Sequence, residues 1–343
     1  MNIPILPIFI ASITTFVVIL LLRPFAISID LIDKPNSRKP HSGAVPLIGG
    51  IAMFFGVVIS IIVSTYDLNQ YDYFLLASSI IVMVGILDDH RNISVSLRLL
   101  FQILVSIIIV TVGDTNIESV GNLFGGDEIV LNKWTYFVSV IAIIAGINAL
   151  NMSDGIHGLA GGSSLITFLA ILYLSIDSIS QEYILIAFLF CAVLPVFLIH
   201  NLCLGISERN RIFMGDSGSM FIGLVIAWLL IHLTQGEDRT FAPVTSLWLF
   251  AVPLIEMVTV VLRRLTSGMS PFMPDLYHSH HLLLRLGIKE KNTLIIMLLI
   301  SLFMAVIGIL GELYGVAEWV MFVGFLLIFA IHFFLHRMAY TNI

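Results

Sequence analysis

Long apolar runs separated by short polar connections repeat along the whole chain. They predict eleven helical spans, at about 4–22, 46–64, 73–87, 98–113, 135–152, 163–178, 183–201, 218–234, 245–262, 293–311 and 319–336. A bilayer core about 30 Å thick needs about 20 apolar residues per helical crossing, a length most of these runs approach. The runs at 73–87 and 98–113 are short, so their ends are set only to within a few residues. The first run lacks a basic leader and a small-residue cleavage site, and it reads as a span rather than a cleaved signal. With no internal repeat and no low-complexity stretch, residues 1–343 read as one all-α, polytopic membrane domain.

Composition agrees and sharpens the picture. Of 343 residues, 59% are hydrophobic and only 11% are charged. Soluble domains carry about a quarter charged residues, which excludes a water-soluble enzyme. The net charge of −6 is uninformative, but its distribution is not. Counted over alternate connections, fourteen of the sixteen Lys and Arg residues fall on one side, and only Lys133 and Arg239 on the other. Basic residues concentrate on the cytoplasmic side, which places the N-terminus outside and the C-terminus in the cytoplasm. Cys191 and Cys203 have neither metal-ligand spacing nor the look of a disulfide framework.

The same parity gathers the unusual polar residues at the cytoplasmic ends of spans. The stretch GILDDHRNIS ends the third span with Asp88 and Asp89. Adjacent carboxylates repel unless a cation or a proton separates them. The pair suits Mg²⁺ and a phosphate proton, because Mg²⁺ takes hard oxygen ligands shared with phosphate. Two solvated acids closing a helix would read the same way. A continuing helix would put Asn92 on their face.

In NALNMSDGIHGLAGG, Asn148 and Asn151 lie one turn apart near the end of an apolar span, either facing a ligand or hydrogen-bonding between helices. Asp154, Gly155, Gly158, Gly161 and Gly162 follow, a run expected to end the helix and let backbone approach a ligand. In RIFMGDSGS, Asp216 precedes a span, placed either to cap it or to hold the metal of a phosphate at the helix start. Phe213 beside it suits stacking on a nucleobase as well as plain interfacial anchoring.

The longest inner connection reads RRLTSGMSPFMPDLYHSHHLLLRLG. His278, His280 and His281 cluster there, downstream of Arg263 and Arg264. No cysteine accompanies them, so a diphosphate clamp fits better than zinc, with imidazole and guanidinium both donating to phosphate oxygens. His332 and His336, on the last span, read as ordinary polar residues near its inner end. The connection DKPNSRKPHSGAVPLIGG carries Lys34, Arg38, Lys39 and His41 on the same face, a charge that anionic headgroups alone would explain.

As an ordered set on one face, these stretches resemble the polyprenyl-phosphate N-acetylhexosamine-1-phosphate transferases. The resemblance covers nearly the whole chain, from DKPNSRKPHSG through TQG, PVTSLW and RRLTSGMSPF to HSHHLLLRLG. The interrupted His278-Ser279-His280-His281 pattern looks like the WecA-type branch, not the peptidoglycan-precursor branch with three uninterrupted histidines. What the resemblance implies is transfer of GlcNAc-1-phosphate from UDP-GlcNAc to undecaprenyl phosphate at the bacterial inner membrane. The products are undecaprenyl-diphosphate-GlcNAc and UMP, and the glycan primed is O-antigen, enterobacterial common antigen or a relative. It implies Mg²⁺, with Mn²⁺ as a substitute, held by Asn151 and Asp216. Asp88 and Asp89 become the catalytic acids, with Asp88 the one to deprotonate or orient the lipid phosphate. Asp154, His157 and Phe213 would border the nucleotide, Asn148 would bind substrate, and Arg264 with the three histidines would hold diphosphate or sugar. A homodimer is compatible with such a chain, and nucleic acid is not an expected partner.

Phosphoryl transfer asks a protein mainly to neutralise charge and align attacking and leaving oxygens, which these residue types do. A direct displacement and a phospho-aspartate route both fit them. Two departures from the family pattern stand out: Asn92 where a third Asp is usual, and His157 for the second acid of DGxDG, which puts a group that titrates near neutrality beside the nucleotide. The rival readings are the same reaction with another UDP-N-acetylhexosamine, and a lipid or nucleotide-sugar transporter. A transporter places its site at mid-depth between repeats. Here Glu256 is the main mid-depth acid and no repeat is visible.

Overall fold

The computed structural model of the protein describes residues 4–34, 43–64, 71–176, 181–271 and 277–341. The described chain is overwhelmingly helical. Helix α1 (Ile5–Ser28) is followed by a short antiparallel pair, β1 (Ile32–Asp33) and β2 (Val45–Pro46). Then come α2 (Gly49–Val63), α3 (Asp72–Arg91), α4 (Val95–Ile107), α5 (Thr135–Ser153), α6 (Leu159–Ser175), α7 (Gln181–Asn201) and α8 (Gly215–His232). The last five are α9 (Pro243–Leu249), α10 (Ala251–Thr266), α11 (Ser279–Arg285), α12 (Glu290–Leu313) and α13 (Glu318–Thr341). Each of the eleven apolar runs overlaps one of these helices or, for 245–262, the pair α9–α10. The run at 98–113 continues past α4 into a π-helical stretch at Ile108–Val112, that at 46–64 begins on β2, and residues 177–178 of the run at 163–178 lie outside the described residues. Among the described residues seven helices are long and apolar enough to cross a bilayer, the bent pair α9–α10 would be an eighth, and α2, α4 and α6 are shorter apolar helices. The protein is a polytopic helical membrane protein.

Helix α8 is the hub. Its apolar window is 89% buried, whereas those of α1 and α13 are 17% buried. A helix apolar all round belongs either inside a bundle or against lipid, and this chain uses both places. Large side chains of the outer helices, such as Phe9, Phe303 and Phe334, point outward, which suits hydrocarbon rather than water. Small residues let the neighbours of α8 come close, as is usual between membrane helices. A Cβ on Gly50 of α2 would lie 2.2 Å from Gly218 N, and one on Gly85 of α3 would lie 2.2 Å from Ser217 Cα. A Cβ on Gly223 would lie 2.7 Å from the Gly146 carbonyl of α5. Helices α2, α3 and α5 therefore touch α8 backbone to backbone around its first turns.

The 84° bend between α9 and α10 has a local cause. Pro253 cannot donate to the carbonyl four residues back, and its ring clashes there. That carbonyl, on Leu249, accepts the Thr167 hydroxyl of α6 over 2.8 Å instead.

Opposite the acidic end, the connection between α4 and α5 is more organised than a plain polar loop. Val120 N–H donates to Ile129 O at 3.1 Å and Ile129 N–H to Gly121 O at 3.0 Å. Gln235 Oε1 accepts the N–H groups of Glu118 and Ser119, each at 3.0 Å, which gives the TQG motif a structural role there. In PVTSLW, Thr245 Oγ1 donates to Glu312 Oε2 at 2.6 Å, tying α9 to α12.

Candidate active site

The site forms where α3, α4, α5 and α8 end or begin together. Asp88 and Asp89 occupy the last turn of α3, and Asp216 the first turn of α8. Asp216 is not an N-cap: the cap position is Met214, and Asp216 lies inside the helix. Its Oδ1 accepts from Asn151 Nδ2 over 2.7 Å, and the same amide donates to Ser219 Oγ over 3.0 Å. The carboxyl of Asp216 is also within hydrogen-bonding reach of Asp88.

The two adjacent aspartates divide the work. Both oxygens of Asp89 are taken by backbone, Oδ1 by Asp216 N–H at 2.7 Å and Oδ2 by Ser217 N–H at 3.2 Å. A Cβ on Gly215 would sit 2.5 Å from Asp89 Oδ2, and Gly215 has φ of +73°, so this turn needs glycine twice over. Asp89 is thus the clasp between α3 and α8. Asp88 is buried and pairs with Arg98 of α4, Nη1 to Oδ2 at 2.8 Å. Asn92 does not continue the helix face as the spacing suggested. It closes α3 as its C-cap in the left-handed region at φ 48° and is exposed.

The turn between α5 and α6 joins a second cluster to the first. Asp154 caps α5 and is exposed, and Gly158 starts α6 at φ +80° with its N–H on Asn201 Oδ1 at 2.7 Å. Gly161 and Gly162, expected in the break, lie inside α6 instead, where they seat Phe197 and Leu298. His157 faces Phe213 with ring centroids 4.9 Å apart, and its Nε2 is 3.9 Å from Glu290 Oε1. Phe213 is held from below by the end of the first inner connection: its N–H donates to Pro46 O and its carbonyl accepts from Gly49 N–H, both at 2.9 Å.

His280 of α11 packs on the same turn, so closely that a Cβ on Gly155 would lie 2.0 Å from its Nε2. That buried nitrogen has no hydrogen-bond partner among the described residues. The rings of His278, His280 and His281 pack on one another, with His280 and His281 centroids 4.2 Å apart. Burial, reinforced by His281 and His278, pushes the imidazole of His280 down to about 3, so the ring is neutral near pH 7. Arg264 is buried, and its Nη1 donates to Pro271 O at 2.6 Å, holding the connection that leads to the histidines.

The structure thus gathers Asp88, Asp89, Asn151 and Asp216 in one cluster and His157, Phe213, His278, His280 and His281 around the adjoining turn. Asn148 stands apart. Its Nδ2 donates to Gln102 Oε1 at 2.7 Å and to Ile144 O at 2.8 Å, linking α5 to α4 inside the bundle. Arg38, Lys39 and His41 lie outside the described residues, and Lys34 pairs with Asp30 at 2.7 Å. Sequence reasoning missed Arg98, Gln102 and Ser219. Only the positive charge of Arg98 at the right end of a span pointed to it.

Among the described residues no three His, Cys, Asp or Glu side chains are gathered so as to enclose a metal ion. Mg²⁺ does not require that: it commonly takes one or two carboxylates and completes its shell with water and substrate phosphate. Asp216, with Asp88 in reach and Asn151 Oδ1 alongside, offers hard oxygens of that kind, and the residues fit such an ion.

The comparisons with known proteins point the same way. The profile described as glycosyl transferase family 4 matches residues 71–234, which include Asp88, Asp89, Asn151, Asp154, His157, Phe213 and Asp216. The chain is 40% identical over 311 residues to the undecaprenyl-phosphate alpha-N-acetylglucosaminyl 1-phosphate transferase of Yersinia pestis, covering 90% of this chain and 85% of that one. It is 39% identical to the protein of that name from Escherichia coli K12, covering 90% and 84%, and 38% identical to that from Haemophilus influenzae, covering 95% and 92%. With that identity along almost its whole length, the chain belongs to the polyprenyl-phosphate N-acetylhexosamine-1-phosphate transferases, a membrane enzyme family within glycosyl transferase family 4.

Proposed function

We propose that the protein transfers GlcNAc-1-phosphate from UDP-GlcNAc to undecaprenyl phosphate, with Mg²⁺ as its metal and Mn²⁺ able to replace it. The observation that carries this reading is the identity of about 40% over nine-tenths of the chain to transferases named for that reaction. The clustering of Asp88, Asn151 and Asp216 beside His280 and Phe213 supports it. In the reaction, an oxygen of the lipid phosphate bonds to the β-phosphorus of UDP-GlcNAc. The bond from that phosphorus to the bridging oxygen breaks, and UMP leaves with the electron pair. The product is the lipid-linked first unit of a surface glycan such as O-antigen or enterobacterial common antigen.

Asp216 and Asn151 would hold the metal, and Asp88, positioned by Arg98, would orient the lipid phosphate or take its proton. Mg²⁺ supplies neutralisation of the diphosphate charge when bound. Asp89 keeps the first turn of α8 in register with α3. His280, His281 and His278 donate to the diphosphate, while Phe213 and His157 offer ring faces to the uracil and Asp154 borders it. The N-terminus lies in the periplasm, the C-terminus in the cytoplasm, and the chain crosses the inner membrane eleven times, because fourteen of its sixteen basic residues then face the cytoplasm.

Purified protein incubated with undecaprenyl phosphate, Mg²⁺ and labelled UDP-GlcNAc should form lipid-linked GlcNAc and UMP in equal amounts. Faster turnover with UDP-GalNAc than with UDP-GlcNAc, or no lipid-linked product at all, would overturn the assignment.

A further inference from the structure

Glu256 lies in α10, just beyond the bend, and is buried. A buried carboxylate among apolar helices is costly unless it is hydrogen-bonded and paired. Glu256 is both. Its Oε2 accepts the backbone N–H of Ser279, within the histidine segment, over 3.0 Å, and its Oε1 lies 3.1 Å from His332 Nε2 on α13. His332 Nε2 is also 3.4 Å from Ser279 Oγ. One turn further along α13, His336 donates from Nε2 to the Tyr277 carbonyl. The Tyr277 ring in turn lies against two guanidinium groups, Arg285 at 4.3 Å and Arg263 at 5.2 Å. Residues 277–279 are therefore gripped through their backbone by side chains of α10 and α13.

This grip decides where the histidine rings go. Residues 277–279 lead directly into α11, whose first turn carries His280 and His281. The backbone of Ser279 is fixed by Glu256, and the next ring, His280, presents its Nε2 to Gly155 in the α5–α6 turn. Glu256, Ser279, His332 and His336 are also the polar lining of an otherwise apolar cavity of about 350 Å³ between α10, α11, α12 and α13. Among the described residues these four are the only polar side chains of that lining.

We propose that Glu256, His332 and His336 are positioning residues for the transfer. They act through the backbone of residues 277–279 to hold His280 and His281 against the α5–α6 turn, and they do not touch substrate themselves. This rests on the reading of His278, His280 and His281 as the group that holds the diphosphate of UDP-GlcNAc.

The test is steady-state kinetics with separate KM values for UDP-GlcNAc and undecaprenyl phosphate. The variants are Glu256→Gln, His332→Leu, His332→Gln and His280→Gln, each purified as a monodisperse membrane protein. Glu256→Gln and His332→Leu should raise the KM for UDP-GlcNAc about tenfold, the scale of losing an outer hydrogen-bond partner of a ligand group, and leave the lipid KM within about twofold. His332→Gln keeps a donor at the Nε2 position and should restore most of the loss. The double variant Glu256→Gln/His332→Leu should be no worse than the worse single one, because the two act as a unit. If His280→Gln raises the nucleotide-sugar KM while Glu256→Gln and His332→Leu lower only thermal stability, the positioning role is wrong. If His280→Gln itself leaves that KM unchanged, the diphosphate reading fails and the inference falls with it.

Discussion

Asn151 and Asp216 meet over 2.7 Å, amide nitrogen to carboxylate oxygen, and this contact joins the end of α5 to the first turn of α8 across 65 residues of sequence. One side chain there supplies an amide and the other a carboxylate, so the amide steadies the carboxylate without adding a second negative charge. The amide also reaches Ser219, one turn up α8, which fixes the side-chain plane. Asn151 therefore helps fix Asp216, whose carboxyl is also within hydrogen-bonding reach of Asp88.

Substituting that carboxylate is the sharpest test of the metal assignment. Asp216→Asn should lower kcat about a hundredfold, because on the proposed assignment the metal would lose a partner and two amides would then face each other. Raising Mg²⁺ should not restore turnover. Near-normal rates at ordinary Mg²⁺ would remove Asp216 from the metal site.

Asp88 and Asp89 should separate cleanly in stability and rate. Asp89→Asn turns one of two acceptors for backbone N–H groups into a donor, at a cost of about 1–3 kcal/mol in stability. Asp88→Asn weakens the pair with Arg98 but keeps an acceptor for it, so it should lower the melting temperature less than Asp89→Asn and reduce kcat far more strongly. Thermal unfolding and turnover measured on the same preparations decide it. Equal stability losses for the two would show that Asp88 is structural as well.

His157, the departure from the family's acid, gives a prediction for the nucleotide end. His157→Asp should keep a sizeable fraction of activity. His157→Leu loses a polar group beside Phe213 and Glu290, at a cost of about 1–3 kcal/mol, or roughly a five- to hundredfold rise in KM for UDP-GlcNAc. The lipid KM should stay put. A silent Leu variant with a dead Asp variant would end any nucleotide role for this position.

The buried ring of His280 predicts a pH effect with a definite sign. Its value is about 3 in the folded protein against an ordinary 6.5 in the unfolded chain. Between those values the unfolded chain binds a proton that the folded one does not, so stability falls as pH drops from about 6.5. At pH 5 the loss is about 2 kcal/mol. The melting temperature of the His280→Gln variant should therefore fall less between pH 7 and pH 5 than that of the parent. Parallel curves would show that His280 is not buried as a neutral ring.

Orientation is tested at the two ends. A reporter active only in the cytoplasm should work when fused to the C-terminus and fail at the N-terminus. Activity at both ends would require an even number of crossings.

Much of this protein was legible in the order of its residues. Hydropathy is a local property, so each apolar run located a helix, and the side on which Lys and Arg accumulate pointed to one face for Asp88, Asn151, Asp216 and His280. What local pattern could not show is which of two neighbouring residues faces a partner far along the chain. Asp88 and Asp89 are equivalent by spacing, yet Asp89 serves the backbone of α8, 127 residues away, and Asp88 the guanidinium of Arg98. Asn148 and Asn151 are one turn apart, yet one links helices and the other meets Asp216. His332 and His336 read as incidental polar residues of a last span, and only the packing of α13 beside α10 makes them partners of Glu256 and Tyr277. These assignments depend on the rotation and depth at which helices pack, which small residues such as Gly50, Gly85 and Gly223 set by close approach to α8. Composition selects the solvent each helix lives in, and the contacts between helices select what each polar side chain does.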